Sequence, residues 1–175
     1  MTYDHEILGM PPAAPVGRAG SAWVAITPVS LRDLHKVASL QKRAFRPPIA
    51  YGVMTLLLLW ALPKVQFIIA RREGRIVGCA IGDTQGGQSR VVSICVDPNM
   101  RRQGIAARLL RELETRLPTG DVVLMVENEN SAAEALYRRE GYLPVGVSRD
   151  YYGRGRDGIW MQKHRTPNPP PKIRV

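Results

Sequence analysis

The sequence contains few residues that could hold a metal ion or form disulfide bonds. Its 175 residues include two cysteines and three histidines. Cys79 and Cys95 each lie in an apolar, strand-like segment, and neither has the neighbours that a zinc site requires. We therefore predict no metal site, two reduced core thiols and a cytoplasmic location.

Acidic residues are also fewer than basic residues. The chain has 15 Asp and Glu against 25 Lys and Arg, which gives a formal net charge of +10. A basic protein favours anionic partners such as nucleic acid, anionic lipid or a polyphosphate cofactor. The arginines are dispersed along the chain and not clustered, so nucleic acid is the less favoured of these partners.

No apolar run is long enough to cross a membrane. The longest, Val53–Leu62, is far shorter than a transmembrane helix, which needs about 20 residues. It predicts a buried or half-buried helix, and the alternatives are a wall of a substrate groove or a homodimer contact. The N-terminus has no basic segment followed by an apolar one, so we expect no secretory signal.

The remaining pattern is that of one mixed α/β domain. A hydrophobic content of 45% with 23% charged residues is typical of globular proteins. Within residues 21–164 the pattern predicts the order β-α-α-β-β-β-α-β-α-β-β. Residues 1–20, rich in Pro, Gly and Ala, predict a flexible arm, and residues 165–175, which are rich in proline, predict a disordered tail.

Three local patterns define elements near the centre and the end of the domain. The strands at 91–96 and 121–126 are joined by a helix, and such a crossover places them side by side in parallel. Ser131 and Glu134 have the spacing of a capping box that opens the next helix. A final strand pair is predicted at Val145–Tyr152 and Gly158–Lys163.

A basic loop, Arg101–Ala106, connects the first parallel strand to the central helix. The first turn of a helix has free backbone N–H groups and the positive end of the helix dipole. Gly104 permits close approach of an anion to that backbone, and the two arginines add charge-assisted hydrogen bonds. The loop therefore favours a diphosphate. It matches neither the P-loop nor the dinucleotide GxGxxG pattern.

This loop and a second motif resemble the GNAT superfamily of N-acetyltransferases. The first resemblance is R-x-x-G-x-A after a strand that ends in Val-Asp-Pro. The second is N-x-x-A-x-x-[LF]-Y-x-x-x-G-[FY], which is matched by Asn130, Ala133, Leu136, Tyr137, Gly141 and Tyr142. The resemblance spans roughly residues 23–163. It implies a mixed, mostly antiparallel sheet of about seven strands with four helices and a splayed parallel pair at its centre.

The resemblance also implies a cofactor, acetyl-CoA, with CoA as the product. The backbone of the central strand would pair with the pantetheine arm, the basic loop would hold the pyrophosphate, and the second motif would touch the CoA arm. The implied cofactor-binding residues are, in that order, Ile94, Cys95 and Val96; Arg101, Arg102, Gln103, Gly104, Ile105, Ala106 and Ala107; and Asn130 and Ala133.

The same resemblance implies catalytic roles. Tyr137 would be the general acid that protonates the departing thiolate. In the subgroup that acts on ribosomal-protein and other N-terminal α-amines, the base is often a glutamate, but here Met125 occupies its position. Glu127, two residues on and on the same strand face, is the substitute base. The alternative is that Glu127 is only a solvated charge at the end of the strand. The base would then be a water held by Ser93 or by backbone carbonyls.

The acceptor is the least constrained part of the reaction. Tyr151 and Tyr152 resemble the paired tyrosines that line the acceptor groove of the N-terminal subgroup, although they could equally be strand aromatics. We expect direct transfer in a ternary complex to a protein N-terminus or lysine. A small-molecule amine is the second reading, and a non-catalytic CoA-binding or basic nucleic-acid-associated module is a third.

Overall fold

The computed structural model describes residues 24–45, 49–118 and 120–165. Its strands are β1 (Ala25–Pro28), β2 (Val65–Arg72), β3 (Arg75–Gln85), β4 (Gln88–Val96), β5 (Val122–Glu127), β6 (Leu143–Ser148) and β7 (Gly158–Lys163). Its helices are α1 (Leu34–Ala44), α2 (Val53–Ala61), α3 (Ile105–Arg116) and α4 (Ser131–Arg139), with short 3-10 turns at Leu31–Asp33 and Pro98–Met100. The element order predicted from the sequence is confirmed.

The two predicted terminal segments fall largely outside the described residues. The arm at 1–20 is one of them, and residues 166–175 of the tail are the other. Arg165, which we assigned to the tail, is described, and its guanidinium donates hydrogen bonds to the backbone carbonyls of Gly120 and Glu114. The side chain at the start of the predicted tail therefore contacts the end of α3.

The described strands form a seven-stranded sheet in the order β1-β2-β3-β4-β5-β7-β6. Every neighbouring pair is antiparallel except β4 and β5, which are parallel. Those two strands pair only where Ser89, Arg90 and Val91 face Val122, Val123 and Leu124. Beyond that point they separate, which confirms the predicted splayed pair at the centre of the sheet.

Helices cover both faces of the sheet. Apolar residues of α1 and α2 pack with one face of β2–β4, whereas α3 and α4 pack on the opposite face. On α3 the apolar residues at i+4 spacing form one buried stripe: Leu109 and Leu113 are fully enclosed, and Ile105 and Leu117 are almost so. Burying one leucine side chain stabilises the fold by about 1.5–3 kcal/mol, so this stripe fixes α3 against the sheet.

The apolar run Val53–Leu62 forms a helix as predicted, but most of it is exposed. Leu56 is the residue of α2 that is buried, while Met54 is 76% and Leu58 63% exposed. The helix lies on the outside of α1 and β2, so one side of it contacts protein and the other faces solvent. No helix in the described part of the chain is both long and apolar enough to cross a bilayer.

The final strand pair is shorter than predicted. β6 ends at Ser148, and the tyrosines that we placed in this strand lie in the turn that follows it. Asp150 and Gly153 have positive φ angles of 54° and 113°, a conformation that cannot continue a strand. The N–H of Gly153 donates to the carbonyl of Asp150, which closes a tight turn.

The two cysteines are opposite one another on β3 and β4. Their sulfur atoms are 3.3 Å apart, well beyond the length of a disulfide bond, about 2.05 Å. Both thiols are buried and free. The hydrogen bond with the Cys79 sulfur raises the pKa of Cys95, and burial of the thiol raises it further. The prediction that both cysteines lie in the core is confirmed.

Candidate active site

The basic loop before α3 has the backbone geometry that an anion site requires. Gly104 is the N-cap of α3, with a left-handed φ of 74°, and no side chain in the described part of the chain caps this helix. Arg102 is also left-handed, at φ 60°, and residues 101–104 are exposed. The N–H groups of the first turn of α3 are therefore directed at an open loop and not at protein acceptors.

Two side chains of this loop are held by neighbouring elements. The guanidinium of Arg101 donates to the carbonyl of Ala44, the last residue of α1, at 3.1 Å. The side-chain oxygen of Gln103 accepts a 2.9 Å hydrogen bond from Arg72 at the end of β2. These contacts tie the loop to β2 and α1, so its backbone is positioned by the fold before any ligand arrives.

A gap opens where β4 and β5 separate. Ile94 and Val96 pair with Ala80 and Gly78 of β3, but they have no register partner on β5. On the other side, residues 125–127 of β5 pair with β7. We call this opening, bounded by residues 93–96 and 125–127, the strand gap. It offers unpaired backbone groups of β4 to an extended ligand.

The loop and the strand gap together fit coenzyme A. Because Gly104 has no Cβ and nothing lies within 4 Å of where one would be, a pyrophosphate can approach the start of α3. The edge of β4 that faces the strand gap can hydrogen-bond an amide-containing arm. The residues present therefore suit both the anionic and the amide parts of that cofactor.

The second motif begins α4, but not in the way that we predicted. The N-cap is Asn130, whose side-chain oxygen accepts a 3.2 Å hydrogen bond from the N–H of Ala133. The prediction of a Ser131 capping box is therefore wrong. Ser131 already has helical geometry, and a residue within the first turn cannot serve as its cap. Asn130 and Ala133 thus act together in fixing the start of α4.

Tyr137 lies on the inner face of α4. It is 6% exposed, and its ring meets that of Tyr142 edge-on at a centroid distance of 5.8 Å. Burial raises the pKa of Tyr137 above its ordinary value, and an electrostatic interaction with Tyr152 raises it further. A tyrosine is protonated at neutral pH even at its ordinary pKa of about 10, so Tyr137 has a proton to donate, although burial makes it a weaker acid than a free tyrosine.

Tyr151 and Tyr152 lie in the connection between β6 and β7, and Tyr151 interacts with Tyr51 of the α1–α2 cluster. Their rings are 4.9 Å apart in an edge arrangement, and the hydroxyl of Tyr152 donates to the carbonyl of Met125 at 3.0 Å. This bond anchors the β6–β7 connection beside the strand gap. Desolvation, with help from the neighbouring Tyr151 and Glu127, raises the pKa of Tyr152 to about 12.

Glu127, at the end of β5, is engaged in an ion pair. Its carboxylate accepts a 2.6 Å hydrogen bond from Nε of Arg156, and the side chain is 15% exposed. The same bond is the main cause that raises the pKa of Arg156. Nη2 of Arg156 is buried and, among the described residues, has no hydrogen-bond partner. Glu127 therefore lies beside the strand gap but is not an isolated, solvated charge.

The structure adds residues that the sequence analysis did not assign to the site. Arg156 pairs with Glu127 across a separation of 29 residues, which no local pattern reveals. Trp160 is the register partner of Met125 on β7, a placement that the predicted strand 158–163 would have given once β5 and β7 were known to be neighbours. Tyr51, which precedes α2, interacts electrostatically with Tyr151.

Comparison with known proteins defines the class. Residues 63–144 match the family model of the Acetyltransferase (GNAT) domain. N-alpha-acetyltransferase RimI of Mycobacterium tuberculosis is 35% identical over 150 residues, which cover 80% of this chain and 92% of the relative. The ribosomal-protein-S18-alanine N-acetyltransferase from Escherichia coli has the same fold, with a TM-score of 0.74 and 22% identity over 87% of this chain and 100% of that one. PaiA N-acetyltransferase from Thermoplasma acidophilum, solved in complex with coenzyme A, has a TM-score of 0.69 and is 16% identical. The match covers 82% of this chain and 99% of that one.

The chain therefore belongs to the GNAT family of acetyltransferases. It is an acetyl-CoA-dependent N-acetyltransferase, and the fold, enzyme class and cofactor expected from the two motifs are confirmed.

Proposed function

We propose that the acceptor is the α-amine at the N-terminus of a protein or peptide, acetylated directly in a ternary complex with acetyl-CoA. The observation that carries this proposal is the position of the tyrosine pair. Tyr152 is bonded to the Met125 carbonyl beside the strand gap, and Tyr151 interacts with Tyr51 of the α1–α2 cluster, on the face opposite to α3, where the cofactor loop ends. Two substrates can therefore reach the gap from opposite sides, as direct transfer requires.

The chemistry of the site divides among three groups. Acetyl-CoA supplies an activated thioester. The Arg101–Ala107 loop holds its pyrophosphate, while Ile94–Val96 and Asn130 with Ala133 position its arm. We assign to Tyr137 the role of proton donor to the departing sulfur, because its phenol carries a proton at neutral pH and lies in the second motif. Such a positioned acid contributes about 10²–10⁴-fold to the rate.

The state of the proposed base favours an α-amine over a lysine. We assign the removal of the ammonium proton to Glu127, directly or through a water. The carboxylate of Glu127 is already engaged by the guanidinium of Arg156. An α-amine, with a pKa of about 7.7–8.0, is already partly neutral at neutral pH, whereas lysine, near 10.4, is almost wholly protonated. A weak base is therefore sufficient for the former.

The mycobacterial relative supports the same acceptor, because it is named an N-alpha-acetyltransferase. The test is a panel that contains a peptide with a free α-amine, the same peptide with a blocked N-terminus and one internal lysine, and a set of small amines. Release of free CoA thiol and the mass gain of one acetyl group are followed together. Turnover of the free peptide alone supports the proposal. Turnover of the small amines alone assigns a small-molecule acceptor, and no turnover at all contradicts a catalytic role.

A further inference from the structure

Three side chains form an apolar wall on the acceptor side of the strand gap. They are Met125 of β5, Trp160 of β7 and Tyr151 of the connection that precedes β7. Met125 and Trp160 are register partners on neighbouring strands. The rings of Tyr151 and Trp160 are 6.4 Å apart in an edge arrangement. The three residues thus present one continuous apolar surface beside the site of transfer.

The position of Met125 is set by a glycine. A Cβ at Gly158 would lie 2.5 Å from the sulfur of Met125, so the thioether occupies the space above this glycine. The backbone carbonyl of Met125 is held by the hydroxyl of Tyr152. Methionine is an adaptable apolar residue that packs well against aromatic rings. At the base of this apolar surface, next to the strand gap, the side chain is therefore the thioether of Met125 and not a carboxylate.

The wall is accessible. Tyr151 is 53% and Trp160 36% exposed, although large aromatic side chains usually bury most of their surface. The helices on this face, α1 and α2, pack over β2–β4, while Met125 and Trp160 belong to β5 and β7. An incoming chain can therefore contact the wall without displacing a helix.

Two carboxylates beside the wall, Glu127 and Asp83, are each paired with an arginine. Glu127 is bonded to Arg156, and Asp83 is bonded to Arg90 by two contacts of 2.8 and 2.5 Å. Each pair is neutral as a unit. An apolar surface beside such pairs favours the burial of an apolar side chain of the acceptor. It offers no partner for a charged side chain, whose burial would be unfavourable.

We propose that the acceptor carries a large apolar side chain on the residue whose amine is acetylated, and that Met125, Tyr151 and Trp160 receive it. This inference rests on the proposed transfer to an N-terminal α-amine. The wall ends at the strand gap, so a side chain whose Cβ is two bonds from the reacting nitrogen lies within its reach. Burying a leucine- or methionine-sized group there lowers the free energy of the transition state as well as that of the complex.

The test compares peptides that differ only in their first residue: Met, Leu, Phe, Ala, Ser and Asp. Values of kcat/KM are measured with the intact protein at saturating acetyl-CoA. We expect Met, Leu or Phe to exceed Ser and Asp by about 10-fold or more, because differences of a few methylenes correspond to about 10–200-fold. Turnover without this preference, or a preference for Ala, Ser or Asp, overturns the inference but leaves transfer to an α-amine intact. Turnover of small amines only overturns both.

Two variants separate the wall from general effects on folding. Met125→Ala should lower kcat/KM for the leucine peptide by about 10-fold and change it little for the serine peptide, while the Kd for acetyl-CoA is unchanged. Leu143→Ala is the matched control, since Leu143 is an apolar residue of the edge strand β6 and is 62% exposed. It should leave both peptides unaffected. An equal loss for both peptides in Met125→Ala would overturn the assignment of the wall.

Discussion

The hydroxyl of Tyr142 donates a 2.7 Å hydrogen bond to the carboxylate of Glu114. The second oxygen of this carboxylate accepts from the ammonium of Lys163 at 2.7 Å. Tyr142 is fully buried and Glu114 is 7% exposed, so both partners lie in the core. These contacts join Glu114 of α3 to Tyr142, which immediately precedes β6, and to Lys163 of β7. It holds α4 and the end of the sheet to the central helix.

Tyr142→Phe should destabilise the protein by about 1–3 kcal/mol, because a buried carboxylate loses one of its donors. The measurement is the midpoint of urea unfolding at neutral pH, with an unchanged m-value. Tyr151→Phe is the control, since its ring is 53% exposed, and it should stay within about 0.5 kcal/mol of the wild type. Equal midpoints for Tyr142→Phe and the wild type would show that Glu114 is satisfied without this hydrogen bond.

Gly104→Ala should weaken acetyl-CoA binding by about 10-fold or more, which is about 1.4 kcal/mol. Alanine at φ 74° strains the backbone, and its methyl group projects where the pyrophosphate is expected. Titration calorimetry with CoA measures the effect. Gly74→Ala is a matched control, because Gly74 has φ 76° and also has no atom within 4 Å of the added Cβ. It should lose similar stability but retain affinity. Equal affinity losses would remove the loop from the cofactor site.

Tyr137→Phe should lower turnover by about 10²–10⁴-fold and leave the Kd for acetyl-CoA nearly unchanged, as expected when only a proton donor is lost. The two quantities are measured by thiol release and by calorimetry. Tyr142→Phe is the control here too, since it alters the ring that packs against Tyr137 at 5.8 Å but removes no proposed donor. Turnover at the wild-type level in Tyr137→Phe would exclude the assigned acid.

Glu127→Gln should reduce turnover most at low pH and least near pH 9. At low pH the α-amine, with a pKa of about 7.7–8.0, is protonated and needs a base, whereas at high pH it is already neutral. The pH profile of kcat/KM measures this. Asp83→Asn is the control, because Asp83 is a second carboxylate bonded to an arginine and has no proposed role in transfer. A loss in Glu127→Gln that does not depend on pH would indicate that the Arg156 pair is purely structural.

The free energy of unfolding should fall as the pH rises above 10. The pKa of Tyr152 is raised to about 12 in the folded protein, mainly by desolvation, and burial raises those of Tyr137 and Tyr142. Their ordinary pKa is about 10, so above this value the unfolded chain ionises first. The stabilising contribution is complete below pH 10 and is lost as the pH approaches 12. Urea unfolding between pH 8 and 11 tests this, and Tyr152→Phe should flatten the decline.

Much of the cofactor site could be predicted from the sequence because its determinants are local. A strand, a turn, a glycine and the first turn of α3 are consecutive, and their geometry follows from short-range backbone preferences. The stripe of α3 was predictable for the same reason, since helical periodicity alone selects Leu109 and Leu113 for burial. The error at the start of α4 was also local: Asn130 and Ser131 are both good N-caps, and the sequence does not say which of the two lies just outside the helix.

The acceptor side depended on tertiary structure. Met125, Trp160 and Arg156 come together because β7 pairs with β5, and this pairing joins residues about 30 positions apart. Because Asp150 has a positive φ, the strand ends before it, and Tyr151 and Tyr152 lie in a turn beside the strand gap. The sequence by itself determined the element order, the anion loop and the family. Only the fold decided which side chains surround the amine, because strand order and loop packing are set by long-range contacts.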